Sequence, residues 1–168
     1  MSKRTHSLDS SLLVRDVTGD YRPANADEVL QAAQRVLAAQ IRNCEVLSSP
    51  QVVRDFLRVK LGTLEHEVFA VVHLDSQNRV IEYVEMFRGT VSQTSVYPRE
   101  VVKECLARNS AALLLVHNHP SGSTQPSRAD ELLTQALKSA LALVDVRVLD
   151  HLIVAGSEIL SMAERGLL

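Results

Sequence analysis

The chain has few aromatic residues and few cysteines. It contains no tryptophan, three tyrosines and three phenylalanines, so it lacks the aromatic side chains that stack single-stranded bases beside basic residues. The two cysteines, Cys44 and Cys105, show no Cys-x-x-Cys spacing, which argues against a disulfide framework and a thiolate metal site. We expect both cysteines to be small buried apolar residues.

Long hydrophobic segments are also missing. No run approaches the ~18 apolar residues that cross a bilayer, and the opening sequence, Met-Ser-Lys-Arg-Thr-His-Ser-Leu-Asp, lacks the apolar stretch of a secretory signal. We therefore expect a cytoplasmic protein that does not bind membranes.

Neither sign of charge is in large excess. Residues 1–60 carry nine lysines and arginines against seven acidic residues, and residues 61–168 carry nine against thirteen. A protein held on DNA phosphates needs a strongly basic surface. We therefore do not expect this chain to bind nucleic acid directly.

What the sequence does contain is typical of one globular domain. Its 168 residues are 46% hydrophobic and 23% charged, which is enough apolar material for a single sizeable core. Residues 1–24 show no sustained period and predict a flexible N-terminal arm. Residues 25–62 predict two helices packing on the domain, because an Asn25 N-cap begins one and a Ser49-Pro50 pair begins the other.

From residue 63 to residue 168 strands alternate with helices, and we expect this segment to form the main domain. Apolar and β-branched runs predict strands, while Pro98 and Ser127 mark helix starts. The predicted strands are 68–74, 79–87, 89–96, 111–116 and 146–154, followed by a short strand and a last turn. This order favours an α/β sandwich with a central mixed sheet.

The segment from His117 to Asp130 carries the clearest chemical pattern. Residues i and i+2 of a strand face the same side, so His117 and His119 can aim two imidazoles at one point. A loop containing proline and glycine then turns the chain, and a helix beginning at Ser127 brings Asp130 back. Two imidazoles and a carboxylate leave the fourth position of a tetrahedral zinc site open, which is typical of catalytic zinc.

Part of this segment also has a purely structural explanation. Ser127 three residues before Asp130 forms a capping box, and the helix dipole favours an acidic residue in the first turn whatever the function. The histidine pair has no equally good packing explanation. A phosphate-binding loop is not favoured, because the segment lacks the repeated glycines and the lysine of a P-loop.

A metal hydrolase also needs a proton acceptor. Glu65 and Glu67 precede the first apolar strand, and their spacing does not choose between them, since a carboxylate at a strand edge is more often a solvated charge. His151 lies inside another apolar strand, where a histidine is more often a core residue bonded to a neighbour. A supporting role for His151 beside a metal stays open.

These residues together resemble a known family. The pattern His-x-His-Pro, six residues, then Ser-x-x-Asp, with a glutamate upstream, is similar to the JAMM (MPN+, JAB) metalloprotease motif. The resemblance covers residues 27–168 and is closest to the RadC branch of that family. The strings that carry it are Gly89-Thr90, Pro98-Arg-Glu100, His117-Asn-His-Pro-Ser-Gly122, Pro126-Ser-Arg-Ala-Asp130 and Asp150-His-Leu-Ile-Val154.

The resemblance implies that residues 63–168 are an MPN/JAB catalytic domain. It also implies the fold of that family, a curved mixed sheet flanked by helices and related to the cytidine-deaminase sandwich. It implies that His117, His119 and Asp130 ligate Zn²⁺ at the sheet edge. It also implies that Ser127 hydrogen-bonds the substrate carbonyl or oxyanion. Glu67 would be the general base, because the family's glutamate directly precedes the apolar strand.

The implied activity is zinc-dependent hydrolysis of a peptide or isopeptide bond in an unknown peptide or protein substrate. Long RadC-like proteins also carry an N-terminal helix-hairpin-helix module that binds DNA backbone, and residues 1–62 show no glycine-containing hairpin pair. Two alternatives stay open. One is a DNA-repair-associated accessory protein with a structural or vestigial metal site, and the other is a catalytically silent scaffold, although silent MPN domains typically lack the His-x-His and Asp ligands.

Overall fold

The fold is described by a computed structural model that covers residues 12–42, 44–46, 48–90 and 95–168. Its elements confirm the α/β class and follow the predicted order. They are β1 (Leu13–Arg15), β2 (Tyr21–Pro23), α1 (Ala26–Ile41), α2 (Pro50–Leu61), β3 (Val68–Leu74), β4 (Val80–Arg88), α3 (Pro98–Ala107), β5 (Ala112–Asn118), α4 (Arg128–Ala142), β6 (Arg147–Ala155) and β7 (Glu158–Ser161).

The first two helices begin at the residues that the sequence marks. Asn25 caps α1 through a capping box with Glu28, and Pro50 occupies the first turn of α2. Gly62 ends α2 where the chain passes against the turn at Gly156, and a Cβ at Gly62 would lie 2.2 Å from the Gly156 carbonyl oxygen. Because a Cβ cannot approach a backbone oxygen so closely, this position requires glycine.

Five strands form one mixed sheet in the order β4-β3-β5-β6-β7. The central strand β5 pairs antiparallel with β3 and parallel with β6, so that His117 lies between Phe69 and Ile153. The carboxyl end of β5 therefore opens at the middle of the sheet, with a neighbouring strand on each side.

Helices cover both faces of this sheet. Alternate residues of a strand face opposite sides, and those of β3 divide accordingly. Val68, Ala70, Val72 and Leu74 share a buried cluster with α1 and α2, whereas Phe69 and Val71 pack with α3 and α4. Leu113 and Leu115 of β5 lie in the second cluster, so His117, two residues further, points to the same face as α4.

The structure adds a hairpin that the sequence did not predict and differs from the prediction over one strand. Residues 13–23, inside the predicted flexible arm, contain the antiparallel hairpin of β1 and β2, a pairing that shows no hydrophobic period because its side chains are mostly exposed. The strand predicted at residues 89–96 is not seen at residues 89, 90, 95 and 96, and residues 91–94 lie outside the described residues. Residues 1–11 of the predicted arm lie outside them as well.

The remaining predictions concern cysteines, membranes and domain boundaries. Cys105 is buried as predicted, whereas Cys44 is only half-buried, and both are free thiols. In the part of the chain that the structure describes, none of the helices combines the length and apolar character needed to span a bilayer. The division into residues 1–24, 25–62 and 63–168 stays a prediction.

Candidate metal centre

The three predicted ligands meet at the carboxyl end of β5. The Nε2 atoms of His117 and His119 lie 2.8 Å apart. Asp130, in the first turn of α4, places Oδ1 3.3 Å from Nε2 of His117 and Oδ2 3.6 Å from Nε2 of His119. The strand end and the helix start therefore direct two imidazoles and one carboxylate to a common point.

The Glu67 side chain reaches the same point from the segment before β3. One carboxylate oxygen of Glu67 and one ring nitrogen each of His117 and His119 lie within 4.8 Å of one another. Glu65, the alternative that the sequence left open, is exposed and does not belong to this group.

Asn118 holds the backbone on both sides of Glu67. The Val68 amide donates to Asn118 Oδ1 at 2.8 Å, and Asn118 Nδ2 donates to the His66 carbonyl oxygen at 3.0 Å. The backbone of Glu67 itself exchanges hydrogen bonds with Gly89 and Thr90. The residue between the two histidines therefore fixes the segment that carries the carboxylate.

Ser127 is the N-cap of α4 and is bonded to Asp130 in three ways. The Asp130 amide donates to Ser127 Oγ at 3.2 Å, while the Ser127 amide and hydroxyl both donate to Asp130 Oδ2 at 2.7 Å. The hydroxyl proton is thus used on the carboxylate. If the hydroxyl rotates toward a substrate oxygen, Asp130 keeps the backbone donor.

The acidic groups of the centre differ in their electrostatics. Burial opposes ionisation of Asp130, but hydrogen bonds with His117, His119 and Ser127 hold the pKa of Asp130 well below its usual range. Burial raises the pKa of Glu67 and the histidine charges oppose that rise. The hydrogen bond with Asp130 raises the pKa of His119. One carboxylate is therefore held ionised, as a ligand requires, while the other is closer to a group that exchanges protons.

The hydrogen bonds of His119 define which of its ring nitrogens is free. Its Nδ1 lies 2.7 Å from the Ser123 carbonyl oxygen, and a carbonyl only accepts, so Nδ1 carries the proton. In the neutral ring, Nε2 then presents a lone pair to His117 and Asp130. A cation between these atoms relieves the repulsion of their lone pairs. A proton on Nε2 serves this purpose for the contact with Asp130, and a metal ion would serve it for all three ligands. The donor set of two nitrogens and one carboxylate suits a metal such as zinc.

His151 is in contact with this centre rather than in an unrelated part of the core. The ring is completely buried, and its Nε2 lies 2.9 Å from Nδ1 of His117. Burial lowers the pKa of His151 well below its ordinary value. Of the two interpretations that the sequence left open, the structure therefore favours the supporting one, because His151 holds the ring of a predicted ligand.

Two residues of the centre were not predicted from the sequence. Asn118 is a buried polar residue at the end of an apolar strand. A polar residue in that sequence position could have indicated a structural role for its side chain. Thr134 lies four residues after Asp130, on the same face of α4, and its hydroxyl contacts His151 at 2.6 Å. A threonine on the buried face of a helix was the corresponding signal there.

A cleft of about 470 Å³ opens over the centre. Its lining includes the apolar side chains of Phe69, Val96 and Leu133 and the polar residues Ser121, Ser123 and Gln125. A cavity of about 490 Å³ also lies between α1, α2 and β4, away from these ligands. Of these two cavities, the cleft is the one lined by the predicted ligands and Glu67, so it is the candidate active site.

Comparison with known proteins identifies the family. Residues 47–167 match the family described as a RadC-like JAB domain. The chain is 58% identical over 150 residues to a UPF0758 protein of Leptothrix cholodnii, covering 89% of this chain and 68% of the relative. It is 60% identical over 146 residues to a UPF0758 protein of Aromatoleum aromaticum, covering 86% and 65%. The chain thus spans about two thirds of the length of these relatives. It belongs to the RadC-like JAB domain family.

Proposed function

We propose that this protein is a zinc-dependent hydrolase that cleaves an amide bond of a peptide or protein. The observation that carries the proposal is the convergence of two imidazoles and an ionised carboxylate beside Glu67, at the floor of an open cleft. His117, His119 and Asp130 would hold the metal. The cytoplasm is the proposed location.

The chain supplies the proton transfers and the positioning. Zinc, when bound, would polarise the scissile carbonyl and lower the pKa of a water molecule. Glu67 takes a proton from the attacking water and delivers it to the nitrogen of the leaving amine, so the carboxylate is regenerated when the carbon–nitrogen bond breaks. The raised pKa of Glu67 suits both steps.

Ser127 would stabilise the oxygen on which negative charge develops. Its hydroxyl borders the cleft and lies beside Asp130, so a rotation brings its proton to a substrate oxygen. A hydrogen-bond donor to the developing oxyanion typically contributes about 100- to 1,000-fold to turnover. Either a peptide or an isopeptide bond fits this chemistry.

The first test is metal content together with amide hydrolysis. Wild-type protein should contain about one zinc per chain by elemental analysis, as a single three-ligand site requires. It should cleave peptides in a mixture analysed by mass spectrometry. Glu67→Gln should keep zinc and lose turnover, because the amide cannot accept the proton. Glu65→Gln, two residues away on an exposed side chain, is the matched control and should keep both.

Each failure has a distinct meaning. Absence of zinc from wild-type protein prepared with zinc present would contradict the proposed site. Full activity in Glu67→Gln would remove the base from the mechanism. Zinc without hydrolysis of any amide substrate would favour the alternative of an accessory protein with a structural metal site.

A further inference from the structure

Two buried side chains, Thr134 and His151, link the proposed ligands His117 and Asp130 behind the cleft through three hydrogen bonds. The Asp130 carbonyl oxygen lies 2.6 Å from Thr134 Oγ1, and Thr134 Oγ1 lies 2.6 Å from His151 Nδ1. Nε2 of His151 lies 2.9 Å from Nδ1 of His117. Thr134 and His151 have no exposed surface and His117 is 2% exposed, so water does not compete for these contacts.

The direction of each hydrogen bond follows from the first one. A carbonyl oxygen cannot donate, so the Thr134 hydroxyl must give its single proton to Asp130. Thr134 Oγ1 then accepts from Nδ1 of His151, which leaves the Nε2 lone pair of the neutral ring facing His117. His117 must therefore donate from Nδ1, and its own lone pair lies on Nε2, toward the centre.

The reverse direction is not compatible with these distances. If His117 accepted at Nδ1, the neutral His151 ring would have to accept at its own Nδ1 from Thr134. The Thr134 proton would then point to His151, and no proton would lie between Thr134 Oγ1 and the Asp130 carbonyl oxygen, which are 2.6 Å apart. The hydrogen bond between these two oxygens would be lost, and they would repel each other. The contact of Thr134 with the Met162 sulfur, at 3.8 Å, is too long and weak to replace it.

We propose that Thr134 and His151 are positioning residues that fix the His117 tautomer, so that its Nε2 lone pair is set toward the metal before the metal binds. The inference rests on the proposed zinc site and assigns it a support. The hydrogen bonds from His117 through His151 and Thr134 end on the Asp130 carbonyl oxygen, which is the backbone of a second proposed ligand. The orientation of His117 is thereby tied to the start of α4.

The first measurement is zinc affinity in competition with a chromophoric chelator. Thr134→Val keeps the shape of the side chain and removes the hydroxyl, so zinc binding should weaken by about 10- to 100-fold, the usual cost of losing such a partner. Thr134→Ser restores the hydroxyl and should restore the affinity. Thermal unfolding of all variants identifies any that fail to fold.

A matched control lies at the other end of the sheet. Ser110 bonds the buried ring of His73 through its hydroxyl at 2.8 Å, and His73 pairs with Leu113 at the start of β5. Ser110→Ala therefore removes a hydroxyl from a buried histidine far from the centre. Zinc affinity should be unchanged in this variant.

The second measurement is the tautomer of His117 in metal-free protein, from long-range proton–nitrogen NMR spectra at about pH 8, where ordinary imidazoles are neutral. Wild type and Thr134→Ser should show a protonated Nδ1 and an unprotonated Nε2. Thr134→Val should show a mixture. The opposite tautomer in wild type, or equal zinc affinity in wild type and a folded Thr134→Val, would overturn the inference.

These two readouts separate this inference from the proposed function. The tautomer is read without metal, so it decides the role of Thr134 even if wild-type protein binds no zinc and the proposed function fails. Conversely, tight zinc binding that does not depend on Thr134 would leave the proposed function intact and remove the support.

Discussion

Helices α1 and α4 begin with the same device but use it differently. In α1, Asn25 Oδ1 accepts from the Glu28 amide and Glu28 returns a bond to the Asn25 amide, both at 2.9 Å. In α4, Ser127 and Asp130 make the same reciprocal pair. Both boxes satisfy amides that the first helical turn leaves free. The local sequence therefore specifies a helix start in either case.

The surroundings of the two acidic side chains make the difference. Glu28 pairs with Arg22 of β2 at 2.6 Å on the surface. Asp130 is largely buried and faces two imidazoles at the end of β5. A capping carboxylate becomes a candidate ligand only because tertiary structure places β5 in front of it, which the local sequence cannot specify.

The sharpest test of this comparison replaces each acid by its amide. Asp130→Asn keeps an acceptor for the helix start but removes the charge, so zinc affinity should fall by more than ~100-fold, beyond the usual loss from a supporting partner. Glu28→Gln makes the same change at α1 and should leave zinc affinity unaltered. Chelator competition measures both variants, and similar affinities would mean that Asp130 only caps its helix.

A second test removes the other half of each box. Asn25→Ala and Ser127→Ala should each lower the free energy of unfolding by about 1 kcal/mol, the usual value of an N-cap, as measured in urea. Only Ser127→Ala should also lose about 100-fold in turnover of an amide substrate. Equal turnover in the two variants would leave Ser127 with a capping role alone.

A third test changes the length of the acidic side chain and keeps its charge. Asp130→Glu still completes a capping box, but its carboxylate reaches one methylene further, so we expect zinc affinity to fall by about 10-fold, a loss at the lower end for metal-site changes. Glu28→Asp is the reciprocal change and should not alter it. Circular dichroism verifies that both helices persist. Undiminished affinity in Asp130→Glu would show that the carboxylate position is not critical.

The smallest expected effect concerns the pH response of the surface box. The hydrogen bond from Arg22 lowers the pKa of Glu28 to about 2. Ionised Glu28 therefore contributes its full stabilisation at a pH above the ordinary pKa of a glutamate, and this contribution is lost as pH falls through about 2. Arg22→Ala should raise the Glu28 pKa toward the ordinary value in an NMR titration. Arg128→Ala, which removes the pair with Glu131 in α4, should leave it unchanged.

Much of the fold could be predicted because its signals are local. The capping residues, the prolines at helix starts and the apolar runs placed most elements within two residues of their observed bounds. Residues 13–23 gave no such signal, because the two short strands expose their side chains and have no apolar face. Of the candidate site, the histidine pair was predictable from strand periodicity alone.

The supporting residues were harder to predict, as His73 and His151 illustrate. Both are buried histidines inside apolar strands. The imidazole ring of His73 bonds only Ser110 among the described residues and leaves its Nε2 without a partner. Burial lowers the pKa of His73 to about 4. His151 has partners at both nitrogens. Sequence cannot separate the two cases, because the distinction depends on which side chains arrive from α4 and β5.

The position of these groups along the chain has a consequence for folding. The residues proposed to hold or orient the metal lie in β5, at His119 just after it, in α4 and in β6. Glu67 lies in the segment before β3, and Asn118 bonds the backbone on both sides of it. The cost of loop closure grows with the separation along the chain. His117 and His151 are 34 residues apart, whereas Val68 and Asn118, which fix the Glu67 segment, are 50 apart. We therefore expect the contacts within β5, α4 and β6 to form before the Glu67 segment is fixed, and pulse-labelled hydrogen exchange can detect this order. An intermediate in which only these contacts have formed would hold the proposed metal ligands but lack the general base. It would gain this proton acceptor only when Asn118 forms its hydrogen bonds with the backbone beside Glu67.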